Sequence, residues 1–335
     1  MQTQQMLPLT DLSVYLREPG MSHKATIVKT LELARASGVG RLVVQPDTRP
    51  VTDSAQTVQF VVERARGVSG VEIVVLGALT KNLDSLELSE MGALKDAGCV
   101  GLSNAGRPLP PLNVLRRALK YAASLNMCVH IQAIDGSLAL NGVAHEGQVS
   151  TRLGLAGIPA SAETCALAAL IELQRETGCA IHVGRLSSAR SVELIRRAKS
   201  ERLAISCDVA WRQLYFTDVE LTGFDAQMHV LPPLRETADR MALIEGLASG
   251  VIDALCSDHQ PHDADAKLAP FPSTEPGRAD LAKFRTQAFR LVQDGYVPLA
   301  RLIDAVTTRP NQILGLPAPV LPSLDIDPAL LMTFG

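Results

Sequence analysis

The sequence has no long uninterrupted apolar segment. None of its apolar runs approaches the roughly 20 residues that a helix needs to span a bilayer. The first nine residues, Met1-Gln-Thr-Gln-Gln-Met-Leu-Pro-Leu9, have neither the charged start nor the apolar stretch of an export signal. We therefore expect a cytoplasmic protein that does not contact membranes.

An excess of positive charge is also absent. The formal net charge is −3 at pH 7, which gives no basic surface suited to nucleic acid. The six cysteines include no C-x-x-C pair, and their spacing suits neither a disulfide framework nor a metal site. We expect reduced cysteines that act as small buried apolar residues, with Cys165 in a helix and the others in or beside strands.

Motifs for nucleotide binding and serine catalysis are missing as well. No G-x-S-x-G elbow, Walker loop or G-x-G-x-x-G lies between a strand and a helix as these motifs require. The turn at Gly184–Ser188 precedes a helix and could hold a phosphate, but short turns of this kind are mostly plain helix starts.

Short apolar runs alternate with amphipathic segments along most of the 335 residues, and apolar residues make up 47% of the chain. Eight strands separated by helix-length crossovers favour a (β/α)8 barrel. An open doubly wound sheet has the same local pattern, but it would usually bring a glycine-rich loop after the first strand, and none follows Leu16. The predicted strands are Leu12–Leu16, Arg41–Val44, Val71–Leu76, Val100–Ser103, Cys128–Ile131, Ala180–Val183, Leu203–Val209 and Ile252–Cys256. The predicted helices are Lys24–Ala36, Ser54–Ala65, Leu86–Asp96, Leu112–Leu125, Glu163–Glu176, Ser188–Ser200 and Asp239–Ala248.

Three long connections interrupt this alternation, at residues 132–159, 211–235 and 258–280. In a barrel they would cluster over the carboxyl ends of the strands, where active sites are built. We expect a barrel domain at residues 1–316 and a short, proline-bearing tail at residues 317–335.

The opening segment Asp11-Leu-Ser-Val-Tyr-Leu-Arg-Glu-Pro-Gly20 carries the first family resemblance. It resembles D-x-H-x-H-L-R-E-P-G, the first-strand signature of dihydroorotases, which belong to the amidohydrolase superfamily. Alternate residues of that strand point into the barrel, so the two histidines of the family bind zinc together. Here those positions are Ser13 and Tyr15, which are poor ligands for zinc.

The resemblance continues, in family order, over nearly all of residues 9–316. It implies an amidohydrolase-type barrel. Such chains usually add a small β-sandwich from residues at both ends, and because this chain has room for neither half, we expect little or no β-sandwich. The matching stretches are Val44-Gln-Pro-Asp-Thr-Arg-Pro50, Gly101-Leu-Ser-Asn-Ala-Gly-Arg-Pro108, Ile181-His-Val-Gly-Arg-Leu-Ser-Ser188, Pro232-Pro-Leu-Arg235 and Ser257-Asp-His-Gln-Pro-His262.

The resemblance also implies two zinc ions held at six positions. Only the strand-five histidine and the final aspartate remain as zinc ligands, whereas a zinc site needs three or four protein ligands. We therefore expect no metal and no cofactor. The six positions are here Ser13, Tyr15, Asn104, His130, Arg185 and Asp258.

The substitutions compensate for the charge of the lost ions. Asn104 removes a negative charge, and Arg185 adds a positive one. We hypothesise that Arg185 points into the mouth and pairs with Asp258. The alternative is that Arg185 is a solvated residue at the end of a strand.

The positions that contact substrate in dihydroorotases are altered too. Arg17 and His262 are retained, although Arg17 could instead be structural. Asp47 replaces an asparagine, and it would repel a substrate carboxylate and could neutralise Arg17. Leu231 replaces a second asparagine. Asp258, the general acid/base of the family, has no activated water to serve, so we expect no catalytic residue and no hydrolysis of dihydroorotate.

A barrel with these losses resembles degenerate dihydroorotase-like subunits that associate with aspartate carbamoyltransferase. The resemblance implies a non-catalytic pseudoenzyme of pyrimidine biosynthesis that supports the transferase assembly as part of an oligomer. For the contact surface we favour the mouth loops, including Trp211 and Phe216.

Two other functions stay open at this point. The first is a metal-dependent cyclic amidohydrolase with a rebuilt single-metal site made of His130, His182, His262 and Asp258. The second is a sensor that binds a pyrimidine intermediate without converting it. Asp47 and Leu231 argue against a ligand that resembles dihydroorotate.

Overall fold

The computed structural model describes residues 8–317, and within them eight parallel strands form a barrel. The order of the strands in the sheet follows their order in the chain. The sheet closes where Val14 pairs with His259 and the Tyr15 N–H donates to the His259 carbonyl at 2.9 Å. The predicted (β/α)8 barrel is confirmed. Its strands are β1 (Leu9–Val14), β2 (Val39–Val44), β3 (Glu72–Ala78), β4 (Gly101–Ser103), β5 (Cys128–Ile131), β8 (Ile181–Val183), β9 (Ile205–Ala210) and β10 (Ala254–Cys256), and a separate ribbon contains β6 (Ala144–His145) and β7 (Gly157–Ile158).

Amphipathic helices cover the outside of the barrel. In the helix at Leu112–Ser124, the apolar residues recur every three or four positions and form one buried face. Within the described residues, none of the helices has the length and apolar character needed to cross a membrane. The helices are α1 (Ile27–Ala36), α2 (Ala55–Ala65), α3 (Met91–Asp96), α4 (Leu112–Ser124), α5 (Gln148–Leu153), α6 (Ser161–Thr177), α7 (Ala189–Ser200), α8 (Thr237–Ser249), α9 (Leu281–Gln293), α10 (Leu299–Ile303) and α11 (Arg309–Leu314).

The end residues of several predicted helices and strands were wrong. The helix predicted from Leu86 begins only at Met91, because the preceding backbone forms an antiparallel bridge between Thr80 and Leu88. The first helix begins at Ile27 rather than Lys24, because the Thr26 side chain caps it. The first strand begins three residues earlier than predicted and ends two residues earlier, since Leu9 already pairs with β2.

Two predictions about individual side chains were also wrong. Cys165 is exposed on α6 and Cys128 is half-buried, so these two do not act as buried apolar residues. Trp211 is only 1% exposed and packs in the core beside Tyr215 and Phe216, which excludes it from a contact surface. The predicted tail lies outside the described residues except for Pro317, and the boundary at residue 316 stays a prediction.

The long connections follow β5, β9 and β10, as predicted. The first contains the ribbon and α5, the second starts with a 3-10 turn at Trp211–Leu214, and the third holds two short 3-10 turns. The polar residues of interest lie at or just beyond the carboxyl ends of barrel strands. The fold therefore brings them together at one mouth.

Candidate functional site at the barrel mouth

Asp258 lies at the centre of a buried hydrogen-bond network. Its Oδ1 accepts hydrogen bonds from Arg185 Nη1 at 2.9 Å, Gln260 Nε2 at 3.0 Å and Ser13 Oγ at 3.3 Å. Its Oδ2 accepts a hydrogen bond from Arg212 Nη1 at 3.0 Å. The hypothesised ion pair between Arg185 and Asp258 is present, and a second arginine holds the other carboxylate oxygen.

Arg185 is fixed in place by its backbone as well as by its side chain. It adopts a left-handed conformation with φ of 57°, and its N–H donates to Asp208 Oδ1 at 2.6 Å. Its guanidinium also donates to the Tyr15 hydroxyl. Burial lowers the pKa of Arg185, but the Tyr15 and Asp258 oxygens raise it by more. The side chain is 4% exposed, so the alternative of a solvated strand-end residue was wrong.

The two residues that replace the first histidine pair are both engaged in this network. The Ser13 hydroxyl is directed at Asp258, and the Tyr15 hydroxyl accepts from Arg185. Burial raises the pKa of Tyr15 well above its ordinary value, so the phenol stays neutral at neutral pH. Neither side chain supplies the anionic or imidazole ligand that zinc requires.

Asn104 connects two loops instead of bridging cations. Its Nδ2 donates to the carbonyls of Arg107 at 2.5 Å and Gln132 at 3.3 Å, and its Oδ1 accepts from the Gln132 N–H at 3.1 Å. These bonds join the segments that follow β4 and β5. The amide therefore has a structural role at this position.

His130 is the surviving histidine of the family set. It is buried beside a cavity of about 10 Å³, and neither of its ring nitrogens has a hydrogen-bond partner among the described residues. Burial and the neighbouring His182 lower the pKa of His130 to about 3, so the ring is neutral. The His182 ring is itself held between Ser206 and Asp208, each at 2.9 Å.

Three of the four residues of the alternative single-metal site have other partners in this structure. His262 donates from Nε2 to the Pro276 carbonyl at 2.9 Å, and its Nδ1 lies 3.2 Å from the Glu275 carboxylate. Asp258 is bound by two arginines, and His182 is bound by Asp208. In residues 8–317, no three His, Cys, Asp or Glu side chains are grouped so that they could hold a metal ion. The residues at the six family positions do not fit zinc.

Comparisons with known proteins agree with the motifs. A family model described as Dihydro-orotase-like matches residues 4–191. A dihydroorotase-like protein of Pseudomonas aeruginosa is 44% identical over 310 residues, which cover 92% of this chain and 73% of that protein.

This chain belongs to the dihydroorotase-like family.

Two further matches extend the comparison. A dihydroorotase of Geobacter sp. is 36% identical over 308 residues, which cover 92% of this chain and 72% of that protein. The structure of the L-hydantoinase from Arthrobacter aurescens superposes with a TM-score of 0.82, covering 92% of this chain and 70% of that one at 22% identity. That likeness shows a shared barrel fold.

In this dihydroorotase-like protein, Arg17 is paired internally. Its Nη1 lies 2.9 Å from Asp47 Oδ2, and its Nε donates to the Pro261 carbonyl at 2.9 Å. Asp47 Oδ1 finds no hydrogen-bond partner in the described part of the chain, and burial raises the pKa of Asp47 to about 6. Leu231 adds an apolar side chain to the lining of the same mouth. A substrate carboxylate would therefore have to compete with Asp47 for Arg17.

Sequence reasoning missed two members of the network in this family member. Arg212 Nε donates to Asp280 Oδ2 at 2.8 Å while its Nη1 holds Asp258, so it links two buried carboxylates. Asp208 accepts from both His182 and Arg185. A sequence signal existed, because Asp208 is a lone charge in the apolar strand β9, and such a charge is almost never fully buried unless it is paired.

Proposed function

We propose that this dihydroorotase-like protein is a non-catalytic member of its family that acts in pyrimidine biosynthesis. It serves as a structural partner of aspartate carbamoyltransferase within a larger oligomer. The observation that carries the proposal is that Arg185 and Arg212 hold both oxygens of Asp258, the residue that serves dihydroorotases as metal ligand and general acid/base.

Electrostatics support the loss of hydrolysis. A divalent cation at Asp258 would have to displace two buried guanidiniums, and each would then lose its ion pair with Asp258. Breaking a buried ion pair in this way costs about 3–5 kcal/mol. Arg185 would also repel the incoming ion, since its charge is permanent at any physiological pH.

The described polar groups nearest Asp258 are already engaged or neutral. The Tyr15 phenol is neutral, Asp258 is saturated with donors, and Arg17 is bound to Asp47. General base catalysis needs an acceptor within hydrogen-bond reach of a water and of the substrate. Because these described groups are engaged with each other, the barrel suits a scaffold better than a hydrolase.

Co-purification tests the structural role. The full chain is co-expressed with the aspartate carbamoyltransferase of the same organism, and the mixture is analysed by size exclusion with light scattering. We expect one complex of defined mass that contains both chains. Separate elution of the two proteins at micromolar concentration would contradict the partnership.

An activity assay tests the loss of catalysis independently. Dihydroorotate hydrolysis is measured with the purified chain and the complex, both with added zinc, and a catalytically active dihydroorotase is the positive control. We expect no rate above the buffer blank. A rate that disappears in Asp258→Asn would show that the chain is an enzyme.

A further inference from the structure

Two cavities meet at the barrel mouth and share Gly106 and Leu231 in their linings. One has a volume of about 360 Å³ and lies above Arg185 and Tyr15. The other has a volume of about 250 Å³ and lies between the connection after β5 and the Pro232–Arg235 segment. Together they form one trough of the size that small-molecule sites usually have.

The larger cavity is the cationic half of the trough. Four arginines line it, against two carboxylates, so its lining carries a positive surplus. Glu275 is already bound by the Lys24 ammonium at 2.6 Å. The arginines are Arg17, Arg49, Arg107 and Arg185, and the carboxylates are Asp47 and Glu275.

Two of these arginines keep their charge available. Arg17 pairs with Asp47 and Arg185 with Asp258, whereas Arg49 and Arg107 have no ion-pair partner within residues 8–317. Both Arg49 and Arg107 are exposed at the rim. Arg107 Nη1 donates to the Leu83 carbonyl at 3.4 Å, and both guanidiniums can receive an anion without breaking an ion pair among the described residues.

The smaller cavity is the apolar half of the trough. Its two charged residues, Glu163 and Arg235, are buried and both bind the Ser187 hydroxyl, so they are satisfied internally. Leu140 lies at its edge with 70% of its surface exposed, although it has apolar neighbours in the same lining. The apolar lining includes Pro108, Ala133, Ile134, Leu140, Ile158 and Pro233.

Leu231 and Gly106 form the junction between the two halves. Leu231 presents an apolar side chain to both cavities. Gly106 adopts a φ of 75°, and a Cβ there would lie 2.8 Å from the Tyr15 hydroxyl and 3.0 Å from Arg185 Nη2. The left-handed backbone and these close contacts favour glycine at this position, where both cavities share its surface.

We propose that the trough binds a small amphipathic carboxylate, with its anionic group at Arg49 and Arg107 and its aryl or alkyl body in the apolar half. Charge complementarity selects the anion, and burial of Leu140 and its neighbours favours an apolar body. This inference goes beyond the proposed structural role and does not depend on it.

Calorimetric titration of the full chain tests the two halves separately. The ligands are 4-phenylbutyrate, butyrate and 4-phenylbutan-1-ol, which carry both groups, the anion alone and the ring alone. We expect 4-phenylbutyrate to bind one per chain and about tenfold more tightly than either fragment, a difference of about 1.4 kcal/mol. Equal affinity for the acid and the alcohol would overturn the proposal, as would a lack of saturable binding at millimolar concentration.

Variants assign each half of the ligand to its half of the trough. The double variant Arg49→Gln/Arg107→Gln should weaken 4-phenylbutyrate about fivefold or more and leave 4-phenylbutan-1-ol unchanged. Leu140→Ser should weaken both of these ligands and leave butyrate unchanged. Arg197→Gln and Leu268→Ser are matched controls, because both side chains are exposed and lie outside the trough. Variants of the trough that bind like these controls would refute the assignment, whatever the transferase co-purification shows.

Discussion

Arg185 places a permanent positive charge inside the barrel mouth, and its partner Asp258 is buried with it. Both groups lose their hydration on folding, so each depends on the other for compensation. The pair could be predicted from the sequence, because the loss of cationic metals and the gain of an arginine change the charge in opposite directions and so compensate for each other. The second arginine on Asp258 could not, since Arg212 lies in a loop with no family motif.

Removing the buried arginine is expected to destabilise the fold. Arg185→Met leaves Asp258 with one guanidinium instead of two and the Tyr15 hydroxyl without its donor, so the free energy of unfolding should fall by about 3 kcal/mol. Urea denaturation measures this fall. The matched control Arg197→Met removes an exposed arginine that pairs with Glu193, and it should cost no more than about 0.5 kcal/mol. Equal costs for the two variants would contradict the role of the buried pair.

Asp11 makes stability depend on pH. Its Oδ1 accepts from the Ser257 N–H at 2.9 Å, but its Oδ2 has no hydrogen-bond partner among the residues that the structure describes. Burial raises the pKa of Asp11 from its ordinary value of 3.8 to about 7. Because the folded state holds this proton more tightly, its contribution to stability is complete below pH 4 and is lost as the pH rises through 7.

The variant Asp11→Asn should lack this contribution to the pH dependence. Between pH 4.5 and 6.5, the free energy of unfolding of the variant should rise relative to that of the unmodified chain by roughly 1 kcal/mol per pH unit. The reason is that each unit of pKa shift corresponds to about 1.4 kcal/mol. Urea denaturation at several pH values measures the difference. A constant difference across this range would show that Asp11 is charged in the folded state.

At the scale of elements, hydrophobic periodicity predicted which strands and helices the chain forms. It did not predict the residues at which they begin and end. The helix α3 starts late because residues before Met91 pair across a loop, and no periodicity encodes such a bridge. Trp211 follows a strand and looks exposed from its position, but the 3-10 turn at Trp211–Leu214 folds it against the core. Tertiary packing decided both cases.

Glu163 joins α6 to the turn that follows β8. Its carboxylate accepts hydrogen bonds from the Ser187 N–H at 3.1 Å, the Ser188 N–H at 3.2 Å and both hydroxyls. The same turn carries Arg185, so α6 positions the buried cation indirectly. The hydrogen bonds of Glu163 therefore connect the barrel mouth to the outer layer of helices.

Glu163→Ala should loosen this turn. Two buried N–H groups would lose their acceptor, which should lower the free energy of unfolding by about 3 kcal/mol. Amide hydrogen exchange should speed up at residues 185–188. Glu172→Ala on the same helix removes only an exposed ion pair with Arg175, and it should leave exchange in the turn unchanged. Protection in the turn that survives Glu163→Ala would contradict the link.

Over the whole molecule, residue types at the six family positions revealed which ligands were lost, but not what replaced them. Asn104 joins the segments that follow the neighbouring strands β4 and β5, whereas Ser13 and Tyr15 bind partners that lie far along the chain, after β10 and β8. These partners depend on barrel closure, which sequence spacing alone does not resolve. The trough at the mouth was equally unforeseen, because its halves come from loops that are far apart in the chain.

The most direct test of the account is the zinc content of the full chain. The protein is expressed and purified with added zinc, dialysed at neutral pH and analysed by elemental mass spectrometry. The arginines on Asp258 predict a zinc content near zero per chain. A content near one or two zinc ions per chain that falls in Asp258→Asn would contradict the account and identify the mouth as a metal site.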